Sequence, residues 1–232
     1  MKPSDIIEID TSGGYDAWAA GYDAQDNPMI AAVERHLDTH RLPVAGARVL
    51  DIGCGTGRTI ARTLTEGAAF VLGIDASPKM LARAAERLAV PIAAGRTALM
   101  QIDIARPWSG VPADFDLAVI TLVLEHSATV SPILDHVARH LAPGALLFIA
   151  EIHPDMLRTD LGGHFERDGV TYSLPSYVHD REEFGSALAA AGCDAPMFDE
   201  VRADAATIAA IPKFAKRQGD GVLLTLRARR RA

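Results

Sequence analysis

The hydrophobic residues of this chain fall into short runs that are separated by longer amphipathic segments. From residue 45 onward, runs rich in valine, isoleucine and leucine alternate with stretches of helical periodicity. Strands buried on both faces are apolar at every position, so the alternation predicts an α/β fold with a parallel sheet covered by helices on both sides. The predicted strands span residues 47–52, 70–74, 98–102, 117–122, 145–150 and 222–226, with a weaker candidate at 197–201.

Capping signals mark several of the intervening helices. Ser77-Pro78 and Ser131-Pro132 each place a hydroxyl before a first-turn proline, which predicts a helix beginning at each pair. A further helix is predicted over residues 181–191, where Gly192 would supply the C-terminal stop.

Two regions lie outside the alternation. Residues 1–44 precede the sheet and predict helices over 15–22 and 28–40. Residues 153–179 form a long insertion after the fifth strand, and Asp168-Gly169 within it predicts a two-residue hairpin. Insertions at this edge of a sheet commonly shape a pocket. We therefore expect one domain with four parts: an N-terminal helical cap (1–44), a ligand-binding core (45–152), the insertion (153–179) and a C-terminal helix with strands (180–232).

Composition narrows the possible functions. The chain has 232 residues, of which 49% are hydrophobic, and so can bury one core without disulfides. A formal charge of −7 argues against nucleic-acid binding, and the basic run 227–231 is expected to be a solvated tail. The two cysteines are far apart, no apolar stretch is long enough to span a membrane, and the first residues are polar. A soluble cytoplasmic protein is expected.

A glycine loop follows the first predicted strand. Gly53, Gly55 and Gly57 come directly after Ile52, and residues 58–65 can form the next helix. A Cβ would block the sharp turn and the close approach of a ligand to the backbone. Nicotinamide and flavin sites also use glycines between a strand and a helix, so the loop alone leaves the ligand open.

Asp51 favours one of these ligands. The spacing is Gly-x-Gly-x-Gly, and the carboxylate lies two residues before the first glycine. It would repel a pyrophosphate but attract a ligand with an ammonium and a sulfonium, such as S-adenosylmethionine. The alternative is that Asp51 only caps the amides of the loop.

Acidic residues also end the next two strands. Asp75 can accept hydrogen bonds from both ribose hydroxyls, which predicts an adenosine ligand but does not separate S-adenosylmethionine from a dinucleotide. Asp103 could accept a hydrogen bond from the adenine amino group, or could be an ordinary turn residue.

In order and spacing, these segments resemble the class I S-adenosylmethionine-dependent methyltransferases. The resemblance rests on residues 49–58, 73–77, 101–103 and 141–145, and it is greatest to the small-molecule group that includes ubiquinone and menaquinone biosynthesis enzymes. It implies a Rossmann-like, doubly wound sheet of seven strands, mostly parallel, whose antiparallel last strand would be residues 221–228. It also implies a small-molecule acceptor. The acidic-Pro-Pro-Tyr motif of many nucleic-acid N-methyltransferases does not follow the fourth strand.

The resemblance further implies which residues contact the cofactor. The contacts run from the methionine end to the adenine end, with an aromatic residue from the leading helices closing the site. The matching residues are Asp51, Gly53, Gly55, Gly57, Leu122, Asp75, Ala76, Met80, Asp103 and Ile104, with Tyr15 or Tyr22 above them.

Catalysis of methyl transfer rests largely on alignment, and a base is needed only for some acceptors. Histidine is the usual base near neutral pH. His153 directly follows the fifth strand and is the first candidate, and His179 at the end of the insertion is the second. His126 is expected to support the start of a helix. No His-x-x-x-His spacing occurs among the histidines near the predicted pocket, so no metal site is expected there.

The expected function is methyl transfer to an oxygen, nitrogen or carbon of a small molecule. An apolar stripe in the insertion hints at an aromatic or hydrophobic acceptor, although such a stripe is as often simple packing. Two alternatives stay open: a cofactor-binding member of the fold that does not methylate, and a nicotinamide-dependent oxidoreductase. Monomer and homodimer are equally compatible with the sequence. The stripe comprises Leu157, Leu161, Phe165, Tyr172, Leu174 and Tyr177.

Overall fold

A computed structural model describes residues 6–24, 26–159 and 162–232. The described strands are β1 (Ile6–Glu8), β2 (Arg48–Ile52), β3 (Phe70–Asp75), β4 (Thr97–Gln101), β5 (Phe115–Thr121), β6 (Leu141–Ile152), β7 (His164–Arg167), β8 (Val170–Ser173), β9 (Met197–Arg202) and β10 (Gly221–Arg229). The helices are α1 (Thr11–Trp18), α2 (Pro28–Thr39), α3 (Arg58–Thr65), α4 (Pro78–Arg87), α5 (Ala89–Ala93), α6 (Ser131–His140), α7 (Pro154–Leu157), α8 (Arg181–Ala190) and α9 (Ala205–Ala210). Short 3-10 turns cover Tyr22–Ala24, Leu124–His126 and Pro212–Arg217.

The main sheet confirms the predicted fold class. Its order is β4-β3-β2-β5-β6-β10-β9, with β2 to β6 parallel and β10 antiparallel to both of its neighbours. The chain therefore reverses its direction of winding between β2 and β5. Ligands bind at such a switch point, beyond the carboxyl ends of the strands.

The strand boundaries differ from the sequence prediction by up to four residues, most of all at the start of β6. This strand, the fifth predicted one, begins at Leu141 rather than at residue 145, because Leu141 pairs with Phe115 of β5 and Gly144 N–H donates to Arg230 O. The predicted cap at Ser131 is also wrong. Ser131 is the first residue of α6, and Val130 occupies the capping position.

Other local signals are confirmed. The Ser77 hydroxyl accepts from Met80 N–H at the start of α4, and Asp180 accepts from Glu183 N–H at the start of α8. Gly192 has φ of +78°, as a helix stop requires. The hairpin β7-β8 turns at Asp168-Gly169, where both residues have positive φ.

In the N-terminal region, the second predicted helix is confirmed as α2, whereas the first begins and ends earlier than predicted. This first helix is α1, which begins at Thr11 with the Asp10 carboxylate accepting from Gly13 N–H, and it ends before Tyr22. Ahead of it, β1 pairs in parallel with β8, so that β1, β8 and β7 form a second sheet. Trp18 packs with Phe165 and Leu174. The start of the N-terminal cap and the insertion thus pack against each other.

The main sheet is buried on both faces. One face packs against α2 and α3 around Phe148, and the other packs against α6 and α8 around Phe115. Both cysteines are buried free thiols. Within the described ranges, no helix combines the length and the apolar character needed to cross a membrane.

Candidate functional site

The three glycines of the loop each meet a different requirement. All three have positive φ. A Cβ on Gly53 would lie 2.3 Å from Val123 Cγ2, and one on Gly57 would lie 2.8 Å from Leu88 Cδ1. A Cβ on Gly55 would meet nothing within 4 Å. Gly53 and Gly57 are therefore needed for packing, whereas Gly55 leaves its backbone open to a ligand.

A cavity of about 340 Å³ lies above this loop, at the carboxyl ends of β2, β3, β4 and β5, and we call it the loop cavity. Asp51 and Gly57 are not among the residues that line this cavity, whereas the other predicted cofactor residues are. These are Tyr15, Tyr22, Gly53, Gly55, Asp75, Ala76, Met80, Asp103, Ile104 and Leu122. The sequence did not indicate residues 10–12, which also line the cavity because α1 starts earlier than predicted.

Asp75 connects the loop to the start of α4. Its Oδ2 accepts from Gly55 N–H at 2.8 Å, and its Oδ1 accepts from Ser77 N–H at 2.8 Å. Burial raises the pKa of Asp75, although these backbone donors oppose the shift. Each carboxylate oxygen can accept a second hydrogen bond, so both remain open to a ribose in the loop cavity.

Asp51 is almost fully buried, and its Oδ2 has no hydrogen-bond partner among the described residues. Burial, together with the charge of Asp75, raises the pKa of Asp51 to about 8. A buried carboxyl oxygen without a donor beside the glycine loop suits the ammonium of S-adenosylmethionine, because a bound cation would stabilise the ionised form. The residues of this site therefore fit that cofactor.

A second cavity of about 490 Å³, which we call the outer cavity, adjoins the first. Tyr15, Tyr22 and Leu122 line both cavities. Leu122 has φ of +57°, a conformation that costs a non-glycine residue roughly 1–2 kcal/mol. Its N–H donates to Ala150 O, which holds the leucine at the junction. A group bound in the outer cavity would therefore face a ligand in the loop cavity.

Tyr15 is fixed between the two cavities by His126. The Tyr15 hydroxyl lies 2.8 Å from His126 Nε2, and His126 Nδ1 lies 2.8 Å from Pro175 O. Because a carbonyl oxygen can only accept, Nδ1 carries the proton and Nε2 accepts from the tyrosine. Burial lowers the pKa of His126, so its ring is neutral.

Two buried glutamates lie beside this pair. Glu151 accepts from Val123 N–H and Leu124 N–H, both at 3.1 Å, and so holds the turn after β5. Burial raises the pKa of Glu151 to about 7. Glu125 lines the outer cavity, and its buried Oε2 has no partner in the described part of the chain.

Burial and the charge of Glu151 raise the pKa of Glu125 to about 8. A carboxyl group in a cavity with a pKa near the working pH is suited to accept a proton. Sequence reasoning missed Glu125 because it considered only the neighbouring His126, to which it gave a supporting role at the start of a helix. An acidic residue beside a histidine at the end of a central strand was the available signal.

His153 directly follows β6, at the carboxyl end of the strand as predicted, but its ring does not line either cavity. Its Nδ1 accepts from Asp155 N–H, and its Nε2 lies 3.3 Å from a Glu200 carboxylate oxygen. A Cβ on Gly221 would lie 2.4 Å from the ring, so the histidine packs closely against β10. His153 braces α7 against β9 and β10.

His179 is also held away from the cavities. Its Nε2 lies 2.8 Å from Ser127 O, and its Nδ1 lies 2.9 Å from Glu183 Oε2. Neither His153 nor His179 is among the described residues that line the loop cavity or the outer cavity. The expectation that these histidines face the acceptor is therefore not met.

The apolar stripe of the insertion is mainly packing. Leu157 lines the outer cavity, whereas Phe165, Leu174 and Tyr172 pack with Trp18. Tyr177 is exposed, and Leu161 lies outside the described residues.

Comparison with known proteins gives consistent matches. Residues 50–147 match the family described as "Methyltransferase domain". The ubiquinone biosynthesis O-methyltransferase of Xylella fastidiosa is 33% identical over 167 residues, which cover 68% of this chain and 63% of that enzyme. The enzyme of the same name from Methylocella silvestris is 30% identical over 232 residues, covering 86% and 84%. A crystal structure of an S-adenosylmethionine-dependent methyltransferase from Mesorhizobium loti superposes with a TM-score of 0.70 at 26% identity, covering 88% of this chain and all of that one.

Proposed function

The chain belongs to the S-adenosylmethionine-dependent methyltransferases, and we propose that it methylates a hydroxyl oxygen of an aromatic or otherwise apolar small molecule. The observation that carries the proposal is the junction of the two cavities at Tyr15, Tyr22 and Leu122. One cavity carries the cofactor residues, and the other is large enough for an acceptor of metabolite size. In-line transfer needs the reacting groups of the two molecules in line, and a junction shared by the two cavities supports such an alignment.

We assign the loop cavity to S-adenosylmethionine. Asp75 would accept from the ribose, Asp103 and Ile104 would contact the adenine, and Asp51 would accept from the ammonium. When bound, the sulfonium supplies a methyl carbon that is open to attack by a nucleophile. The glycines admit the methionine part because Gly55 leaves its backbone uncovered.

We assign the outer cavity to the acceptor. Four aromatic side chains line it, which favours a flat apolar molecule. Lys213 and Lys216 add positive charge to the same wall, although Lys213 is paired with Asp26. An acidic substituent at the far end of the acceptor would suit this charge. The aromatic residues are Tyr15, Trp18, Tyr22 and Phe214.

Glu125 takes the role of general base that the sequence had suggested for His153 or His179. The acceptor hydroxyl must lose its proton as its oxygen attacks the methyl carbon. Glu125 lines the outer cavity, its Oε2 has no hydrogen-bond partner among the described residues, and its pKa is raised to about 8. Tyr15 and His126 are neutral and hydrogen-bonded to each other. We therefore assign them to positioning the acceptor and not to accepting its proton.

We further propose that the enzyme acts in the cytoplasm, in small-molecule metabolism. The two free and separated thiols support a reducing compartment.

The proposal is tested by incubating the protein with S-adenosylmethionine and a panel of hydroxylated aromatic compounds, with and without a carboxylate. Mass spectrometry should detect an acceptor that gains one methyl group. Glu125→Gln should lower turnover by roughly 100-fold or more while leaving the affinity for S-adenosylhomocysteine unchanged. The matched control is Glu182→Gln, which changes an exposed glutamate on α8.

Two outcomes would count against the proposal. Full activity of the Glu125→Gln protein would show that Glu125 is not the general base. Tight cofactor binding with no methylated product from any nucleophile class would favour the non-methylating alternative.

A further inference from the structure

A cluster of possible metal ligands lies outside the loop cavity and the outer cavity, between the C-terminal end of α2 and the edge strand β9. It consists of His36 and His40, one helical turn apart, and Asp199 on β9. Their nearest ligand atoms all lie within 4.8 Å of one another. The two imidazole rings are nearly parallel, with centroids 4.3 Å apart.

The Thr39 hydroxyl lies 2.9 Å from His40 Nδ1 and 3.1 Å from His36 O. A hydroxyl can donate to a carbonyl oxygen while it accepts from a ring N–H, so these contacts accommodate the His40 tautomer that carries its proton on Nδ1 and a lone pair on Nε2. Outer hydrogen bonds of this kind orient the histidine ligands of metal sites.

The available nitrogen faces a carboxylate. His40 Nε2 lies 3.8 Å from Asp199 Oδ2, while Asp199 Oδ1 accepts from Glu200 N–H. In that tautomer, a ring nitrogen and a carboxylate oxygen at this distance can share a cation. Zinc bonds to imidazole nitrogen and to carboxylate oxygen are both about 2.0–2.2 Å long, so small side-chain rotations would bring both atoms onto one ion.

His36 completes the set. It is buried, and its ring lies beside the ring of His40. His40 and Asp199 are about half exposed, which gives an ion a path from solvent. One positive charge opposes binding, since Arg227 donates to His40 O.

We propose that His36, His40 and Asp199 bind one divalent transition-metal ion of the zinc class. Two imidazoles and one carboxylate are a donor set that zinc, nickel and cobalt accept, with a fourth position left for water. The ion would join α2 to the edge strand. Because Pro28 and Met29 at the other end of α2 line the outer cavity, it would also anchor one wall of that cavity. The proposal does not depend on the identity of the acceptor.

The chain contains its own control. His136 and His140 on α6 have the same spacing, but His140 Nδ1 is bonded to His136 O, and both rings lie beside Trp108. The described residues supply no third ligand to this pair within metal-binding distance. His140→Ala therefore removes an imidazole from an equivalent pair without touching the proposed site.

The test uses the full chain, free of any polyhistidine tag and stripped with a chelator. Titration calorimetry with zinc chloride should give one site per chain, and Co²⁺ should produce the visible absorption of a four- or five-coordinate site. His40→Ala and Asp199→Asn should each weaken binding by more than about tenfold and abolish the cobalt spectrum, whereas His140→Ala should change neither. Both substituted residues are exposed, and unchanged affinity for S-adenosylhomocysteine would verify that the variants fold. Absence of zinc binding in the unmodified protein, or equal weakening by His40→Ala and His140→Ala, would overturn the proposal.

Discussion

Asp51→Asn replaces a buried carboxyl group by an amide of the same shape. Burial and Asp75 raise the pKa of Asp51 from its ordinary value of 3.8 to about 8 in the folded, cofactor-free protein. Between these two pH values, the unfolded chain loses a proton that the folded chain keeps. The free energy of unfolding therefore falls as the pH rises through this window.

The size of the effect follows from the shift. One pKa unit corresponds to about 1.4 kcal/mol, and pH 7 lies about three units above the ordinary pKa, so the carboxyl group lowers the stability of the cofactor-free protein by about 4 kcal/mol at most. The amide does not titrate. The D51N protein should thus be more stable than the unmodified protein, and the difference should grow by about 1.4 kcal/mol per pH unit between pH 6 and pH 7.5. Above pH 8 both states are ionised and the difference should level off.

Urea denaturation of the cofactor-free proteins at several pH values measures this difference. Asp114→Asn is the matched control, since Asp114 is exposed and its positive φ is one that asparagine tolerates. Calorimetry should also find that D51N binds S-adenosylmethionine roughly tenfold or more weakly, because the cation loses its carboxylate. Equal urea midpoints for D51N and the unmodified protein at every pH would refute the argument that Asp51 is held neutral at a cost to stability.

Three further outcomes are expected. Turnover should rise with pH to a midpoint near 8, where Glu125 ionises, and a profile without this rise in the unmodified enzyme would exclude Glu125 as the base. Gly53→Ala should lower the melting temperature more than Gly144→Ala. Both glycines have positive φ, but only a Cβ at position 53 would meet the Val123 side chain. Equal decreases in melting temperature would mean that Val123 moves aside. His179→Ala should lower the free energy of unfolding by about 1–3 kcal/mol, while turnover at saturating substrate persists. Loss of turnover in a folded His179→Ala protein would mean that His179 takes part in catalysis.

The sequence brought together most residues of the loop cavity because their signals are local. The turn after β2 needs positive φ and close packing, and glycine is the residue that provides both at Gly53. Parallel strands also end at one edge, so Asp75 and Asp103 had to lie near the glycine loop once the strands were recognised. The hairpin at Asp168-Gly169 was equally local, since its turn requires two residues with positive φ.

The acceptor side depends on contacts that are distant in the sequence. A position at the end of a strand places His153 at the correct edge, but it does not specify which way the ring turns, and contacts with Glu200 and Gly221 decide that. Glu125 becomes a candidate base only because Glu151 lies beside it and both are buried. Similarly, the three residues of β1 carry too little pattern to reveal a strand that pairs with β8.

The position of β10 in the main sheet has a consequence for the order in which the molecule can be completed. β10 follows both β6 and β9 along the chain, yet it lies between them. While the ribosome is still making residues beyond 220, β6 presents one open edge, and β9 lacks the only strand with which it pairs in the described sheet. A chain interrupted there would expose two strands with unpaired edges, and such edges promote aggregation. The nascent protein is therefore expected to need chaperone protection until β10 has emerged, even though the strands that carry the glycine loop and Asp75 are complete much earlier.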